Sequence, residues 1–91
     1  MKVKDILTDD SKWAKGHQAY DAYLYPCNYD SPYATKWCLA GAVCKAYNQT
    51  QLINSVIDKL WRRLSGSPTC WNDAAERTFP EVIALVEELD I

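Results

Sequence analysis

A chain of 91 residues, 48% of them apolar, with a net charge of −2, has the makeup of one folded domain and not of a disordered segment. It lacks the basic excess of a bulk nucleic-acid binder, and no apolar run approaches the length of a membrane span. The charge is uneven: residues 1–70 hold nine Lys/Arg against six Asp/Glu, and residues 71–91 hold one against six. That pattern reads as an acidic C-terminal segment packed on a mildly basic body.

The first residues, Met1-Lys2-Val3-Lys4-Asp5, put charges where a secretion signal needs an apolar core, so a cytoplasmic protein is expected. Cys27, Cys38, Cys44 and Cys70 are then reduced thiols. Val3, Ile6 and Leu7 stand at i, i+3 and i+4, which predicts a first helix over residues 2–9. Lys12–Gly16 breaks it, and Trp13 folds back on the core.

Residues 17–34 carry five tyrosines, Tyr20, Tyr23, Tyr25, Tyr29 and Tyr33, among Pro26, Asn28, Asp30, Ser31 and Pro32. Tyr23 and Tyr25 alternate as in a strand, so an irregular aromatic loop or a short β-hairpin is expected there. Thr35 is the expected N-cap of a second helix running to Tyr47. Trp37–Cys44 is apolar almost all round, which places that helix in the middle of the fold. Ala40, Gly41 and Ala42 would let a backbone or a ring approach closely.

A third helix starts at Asn48 or Thr50. Leu52, Ile53, Val56, Ile57, Leu60, Trp61 and Leu64 form its apolar stripe, and Gly66-Ser67-Pro68 ends it. The last helix opens on a capping box in which Thr78 and Glu81 satisfy each other's backbone N–H groups, with Pro80 in the first turn. Phe79, Val82, Ile83, Val86 and Leu89 follow as its buried stripe. The fold class is therefore mainly α: a compact four-helix domain, residues 1–91, with the aromatic segment between the first two helices.

The cysteines suggest two chemistries. Structural zinc ligands usually pair two to four residues apart, whereas Cys38 and Cys44 are six apart on an expected helix and point roughly 120° away from each other. No metal and no cofactor are expected. Cys38 in a first helical turn could instead have a lowered thiol pKa, with His17 as base and Asp21 or Asp73 orienting it. A packed core thiol accounts for the same residue. Lys59, Arg62 and Arg63 share a helix face and could bind phosphate, but they also complement the dipole at a helix C-terminus, and Asp58 can pair with Arg62.

Pro68–Arg77 reads as a loop that joins a ring, an amide, carboxylates and a guanidinium just ahead of a helix. Trp71, Asn72, Asp73 and Arg77, with Trp13 and Trp37, are the candidate ligand-binding residues, since stacking and bidentate hydrogen bonds would hold a planar polar ligand. The same side chains could equally knit the loop to the core.

Trp13-x-x-Gly16, Asp21, Trp37-Cys38-x-x-Gly41-Ala42 and Trp71-Asn72-Asp73-x-x-x-Arg77-Thr78-x-x-Glu81-Val82 follow one another along nearly the whole chain. In this order they resemble a family of small bacterial and phage proteins known as a domain of unknown function. The tyrosine-rich stretch Tyr20–Tyr33 departs from that family, whose members more often carry an Arg-Asp turn with glycine there. The resemblance implies a compact helical fold and supplies no reaction.

The favoured expectation is thus a non-catalytic binding protein. Its partner would be a small polar or nucleotide-like ligand or another protein, with no membrane and no nucleic acid involved. If phage-borne, it would act in counter-defence, sequestering a nucleotide-like signal or blocking a host protein. The alternatives are a small cysteine enzyme using Cys38 with His17, and a homo-oligomeric scaffold.

Overall fold

The computed structural model describes residues 1–91. Its first helix, α1 (Val3–Ile6), is one turn long, with the Lys2 N–H donating to Asp5 Oδ2 at 2.8 Å. The expected span to residue 9 is cut short because Asp9 caps a separate 3-10 turn, Asp10–Lys12, by accepting from the Ser11 N–H at 2.9 Å. Val3 and Leu7 are nonetheless buried, as their spacing requires.

The tyrosine segment forms more than a hairpin. Three antiparallel strands, β1 (Ala19–Asp21), β2 (Pro26–Cys27) and β3 (Ala34–Trp37), pair in the order β2-β1-β3. Ala19 stands between Cys27 and Trp37, and the register shifts between Tyr20 and Asp21. Thr35 is therefore a strand residue and not an N-cap. Its branched side chain suits a pleated surface, and its hydroxyl donates to the Tyr20 carbonyl at 3.4 Å.

Helix α2 (Leu39–Tyr47) begins three residues later than expected, with Cys38 as its N-cap. The Cys38 sulfur accepts from the Gly41 N–H at 3.3 Å, and the Cys38 N–H donates to the Gln18 carbonyl at 3.2 Å. That contact draws α2 onto the chain leading into β1. A Cβ on Gly41 would lie 2.0 Å from the Gln18 oxygen, so only glycine permits the approach.

Helix α3 (Thr50–Leu64) buries Val56 and Leu60, while the edges of its stripe, Leu52 and Trp61, stay about half exposed. It stops on Ser65 in the left-handed conformation, and not on Gly66. The expected Pro68–Arg77 loop then contains a short helix, α4 (Pro68–Asp73). Ser67 is its N-cap, accepting from the Cys70 N–H at 3.3 Å, and Pro68 occupies the first turn.

Helix α5 (Phe79–Leu89) opens where the capping box placed it. The Thr78 N–H and the Thr78 hydroxyl both donate to Glu81 Oε1, each at 3.0 Å. The domain is thus mainly helical, 53%, with five helices, three of them substantial, and a small sheet ahead of those three.

The core joins Val3 and Leu7 to Leu39, Val43, Leu60, Val82 and Val86. Chain ends meet there: the Val3 N–H donates to the Ile91 main-chain oxygen at 2.6 Å, and the Tyr47 hydroxyl to the same oxygen at 2.9 Å. No helix is long and apolar enough to cross a membrane.

Candidate functional site

The six sequence-selected residues divide into an inner knot, an outer stack and one outlier. Helix α4 makes the division, because successive side chains on a helix point about 100° apart. Asn72 turns inward and is 0% exposed, whereas Trp71 is only partly buried.

The knot is built on the Asn72 amide. Oδ1 accepts from the Trp13 indole N–H at 2.7 Å and from the Leu39 N–H at 3.1 Å. Nδ2 donates to the Ala14 carbonyl at 3.1 Å and to Asp73 Oδ1 at 2.9 Å. All four hydrogen bonds this side chain can make are therefore formed within the protein. Asp73 Oδ1 also accepts from the Gly16 N–H at 3.0 Å, and Gly16 has φ of +96°, a conformation natural to glycine.

Lys15 closes the knot from outside by donating to the Ala74 carbonyl at 2.7 Å. Residues 13–16, the start of α2 and the end of α4 are thus tied at one point. Sequence reasoning passed over Lys15, and only the spacing Trp13-x-x-Gly16 hinted that this segment has a fixed partner.

The stack lies on the other side of α4. The Arg77 guanidinium sits 3.9 Å from the centre of the Trp71 ring, donates from Nε to the Trp71 carbonyl at 3.0 Å, and pairs with Glu81 Oε2 at 2.9 Å. Such a cation–ring contact is attractive, because the ring face carries the negative part of its quadrupole. The indole N–H groups of Trp13 and Trp37 have partners, the latter in the Tyr29 carbonyl at 2.9 Å, but that of Trp71 has none within the chain.

Trp37 is the outlier. It bridges the Trp13 backbone and packs against the core, yet it joins neither group. The rings do not gather into one aromatic cluster. Trp13 lies against Phe79 at 6.3 Å between centroids, and the only other close ring pair is His17 with Tyr20.

Beside Trp71 is the one cavity of the molecule, an open groove of about 250 Å³. Leu64, Trp71 and Leu85 give it apolar walls, and Arg63, Glu81 and Glu88 supply charge. Arg63 grips Glu88 through Nε and, at 3.0 Å, through its second nitrogen. This pair lies 25 residues apart and has no local signature in the sequence. Thr78's backbone N–H and hydroxyl, followed by Arg77, hold the Glu81 carboxyl below its ordinary range. Arg63 does the same for Glu88. Both carboxylates stay ionised at neutral pH.

The cysteine–histidine pair considered from the sequence is not assembled. Cys38 is 5% exposed, and burial pushes its thiol pKa up, against the lowering expected of a first-turn thiol. Its sulfur serves as the α2 cap, while His17 is exposed and stands edge-on to Tyr20. Burial raises the Cys44 thiol as well. No three His, Cys, Asp or Glu side chains come together in a group able to hold a metal ion.

These features define a small helical domain with a sheet-braced N-terminal half, a saturated hydrogen-bond knot and a single open groove. The chain belongs to the Family of unknown function (DUF6197), whose description matches residues 1–89. No curated protein and no solved structure matches it.

Proposed function

We propose that this protein is a non-catalytic binding module whose ligand enters the groove walled by Trp71. The observation that carries the proposal is the Trp71–Arg77 stack at that groove. It presents a ring with an unpartnered indole N–H, held rigid by a guanidinium, in the wall of the only cavity. A rigid aromatic wall with a few polar groups is the usual makeup of a ligand site.

In this reading Trp71 and Arg77 contact or brace the ligand, joined by Arg63 and Glu88 from the groove lining. Trp13, Asn72 and Asp73 hold the fold together on the inner side of α4 and take no part in binding, and Trp37 braces the sheet. A counter-defence use, either sequestering a nucleotide-like signal or blocking a host protein, fits such a module and is motivated by the resemblance to phage proteins. Groove size favours the second version. At about 250 Å³ it falls below the roughly 300–1,000 Å³ of ordinary small-molecule pockets and suits one ring or one side chain.

The test is a titration of the protein with nucleotides and with N-acetyl amino-acid amides. Melting temperature and the Trp71 indole N–H resonance are followed together. A ligand at about 100 times its Kd should stabilise the fold by roughly 2.7 kcal/mol, and Trp71→Ala should abolish that gain. Response to amides alone selects the protein-blocking version, and response to nucleotides alone selects sequestration. If neither class moves the Trp71 resonance at millimolar concentration, the groove is not the site.

A further inference from the structure

At the far end of the sheet the chain exposes a patch with no internal use. Tyr23, Leu24 and Tyr25, in the turn joining β1 to β2, are 82%, 61% and 68% exposed, and Tyr33 is 75% exposed. Asp21 pairs with Ala34 across β1 and β3, so Tyr33 lies at the same end of the sheet as the turn.

The turn is rigid. The Asp21 carboxylate accepts from the Tyr23 N–H at 2.8 Å and from the Tyr25 N–H at 3.1 Å. The Asp21 N–H donates to the Tyr25 carbonyl, and the Leu24 N–H to the Asp21 carbonyl, both at 3.0 Å. At its apex Leu24 has φ of +66°, a conformation strained for a residue with a Cβ and natural to glycine or asparagine. A turn needed only as a turn would hold glycine there. Leu24 bears both the strain, which the hydrogen bonds of the turn hold in place, and the exposure of an apolar side chain.

We infer that this sheet end is a self-association surface, and that its occupant is the same patch on a second copy of the chain. Charge narrows the partner. Residues 16–35 contain no Lys or Arg, and their carboxylates are Asp21 and Asp30. Phosphate-bearing partners, whether nucleic acid or anionic lipid, are therefore disfavoured.

Area supports a second copy. At roughly 200 Å² per ring, the exposed parts of the three tyrosines amount to about 450 Å² per copy. A twofold pairing that covered all of this area would bury about 900 Å² from the rings, and Leu24 brings it to roughly the 1,000 Å² at which specific interfaces begin. The turn is already fixed, so little ordering accompanies association. Pairing through the edge strand β2 is not the route, because it is two residues long and contains Pro26.

Sedimentation of the whole chain from about 10 µM to about 1 mM tests this inference. The mass should rise from 10.4 kDa towards twice that value, and added salt should not reverse it, since no cation takes part. Leu24→Gly should weaken association at least tenfold while raising the melting temperature of the monomer, a pairing of effects that mere loss of folding cannot give. Tyr23→Ser with Tyr25→Ser should leave a folded monomer. A mass of 10.4 kDa at every concentration overturns the inference, as does a dimer that survives all three substitutions. Binding of phosphatidylcholine vesicles by a chain that stays monomeric also overturns it, by assigning the patch to a lipid surface.

Discussion

Replacing Asn72 by alanine removes the one side chain that joins residues 13–14, the start of α2 and α4. The Leu39 N–H, on a residue 0% exposed, loses its acceptor and has no water to turn to. The Trp13 indole N–H is only partly buried and can recruit water. A buried group left without a partner costs about 1–3 kcal/mol, so Leu39 near the top of that range and Trp13 near the bottom give about 4 kcal/mol together. For a domain of this size each kcal/mol lowers the melting temperature by roughly 4–8 °C, so a fall of about 15–30 °C is expected. Urea unfolding followed by tryptophan fluorescence measures it as a lower midpoint at unchanged slope.

Asn72→Asp makes a second check. It keeps the acceptor for Trp13 and Leu39 but loses the donor to Ala14, and it sets a carboxyl against Asp73. Burial and the neighbouring charge raise the pKa of that introduced group in the folded state, so this variant should regain stability relative to the parent as pH falls. A loss below about 1 kcal/mol in Asn72→Ala would refute the reasoning, since the partners would then have found others.

Gly41→Ala should be among the most damaging small substitutions, because its Cβ meets the Gln18 main chain at 2.0 Å; the loss should reach or exceed the roughly 1–3 kcal/mol typical of overpacking. Gly66→Ala, with nothing within 4 Å of the new atom, should instead be neutral or stabilise by up to about 1 kcal/mol in the same melt. Alkylation read by mass spectrometry should modify exposed Cys70 first and Cys38 last, and Cys38 only above the ordinary thiol value of 9.0 or after unfolding. Reaction of Cys38 near neutral pH would reopen the case for a cysteine nucleophile. Glu81, Glu88 and Asp90 have folded-state pKa values held down by their hydrogen-bonded partners. Their contribution is complete above the ordinary carboxylate range and is lost as pH falls through the lowered values, so the melting temperature should drop below about pH 4. Glu88→Gln should flatten that drop only slightly, because the Arg63 pair is half exposed.

The elements legible in the sequence are those whose evidence is local. The Thr78–Glu81 box, the stripe of α3 and the all-apolar run of α2 each declare themselves within one continuous stretch, and each stands close to where the sequence places it. Thr35 is ambiguous in the sequence because a threonine before a helix and a threonine in a strand look alike. The groups that decide between them, the carbonyls of Tyr20 and Gln18, lie 15 and 20 residues from the bonds they accept. Helix α4 escaped because six residues are too few to show a period, although Ser67-Pro68 is a start signal as well as a stop.

The run Trp71-Asn72-Asp73 shows the same limit at the site itself. Asn72 takes its meaning from Trp13, Ala14 and Leu39, at separations of 59, 58 and 33 residues, and no spacing rule could name them. Once the run is known to be helical, the division follows from geometry: adjacent side chains cannot share a face, so one enters the knot and the next borders the groove. That makes the two roles separable by experiment. A substitution at Asn72 should move the unfolding midpoint and, wherever the fold survives, leave binding at the groove intact. Trp71→Ala should abolish binding with a much smaller change in midpoint, because its indole N–H holds nothing in the chain. If both substitutions moved the same observable by the same amount, knot and groove would be one cooperative unit, and the outward face of α4 could not be assigned a role of its own.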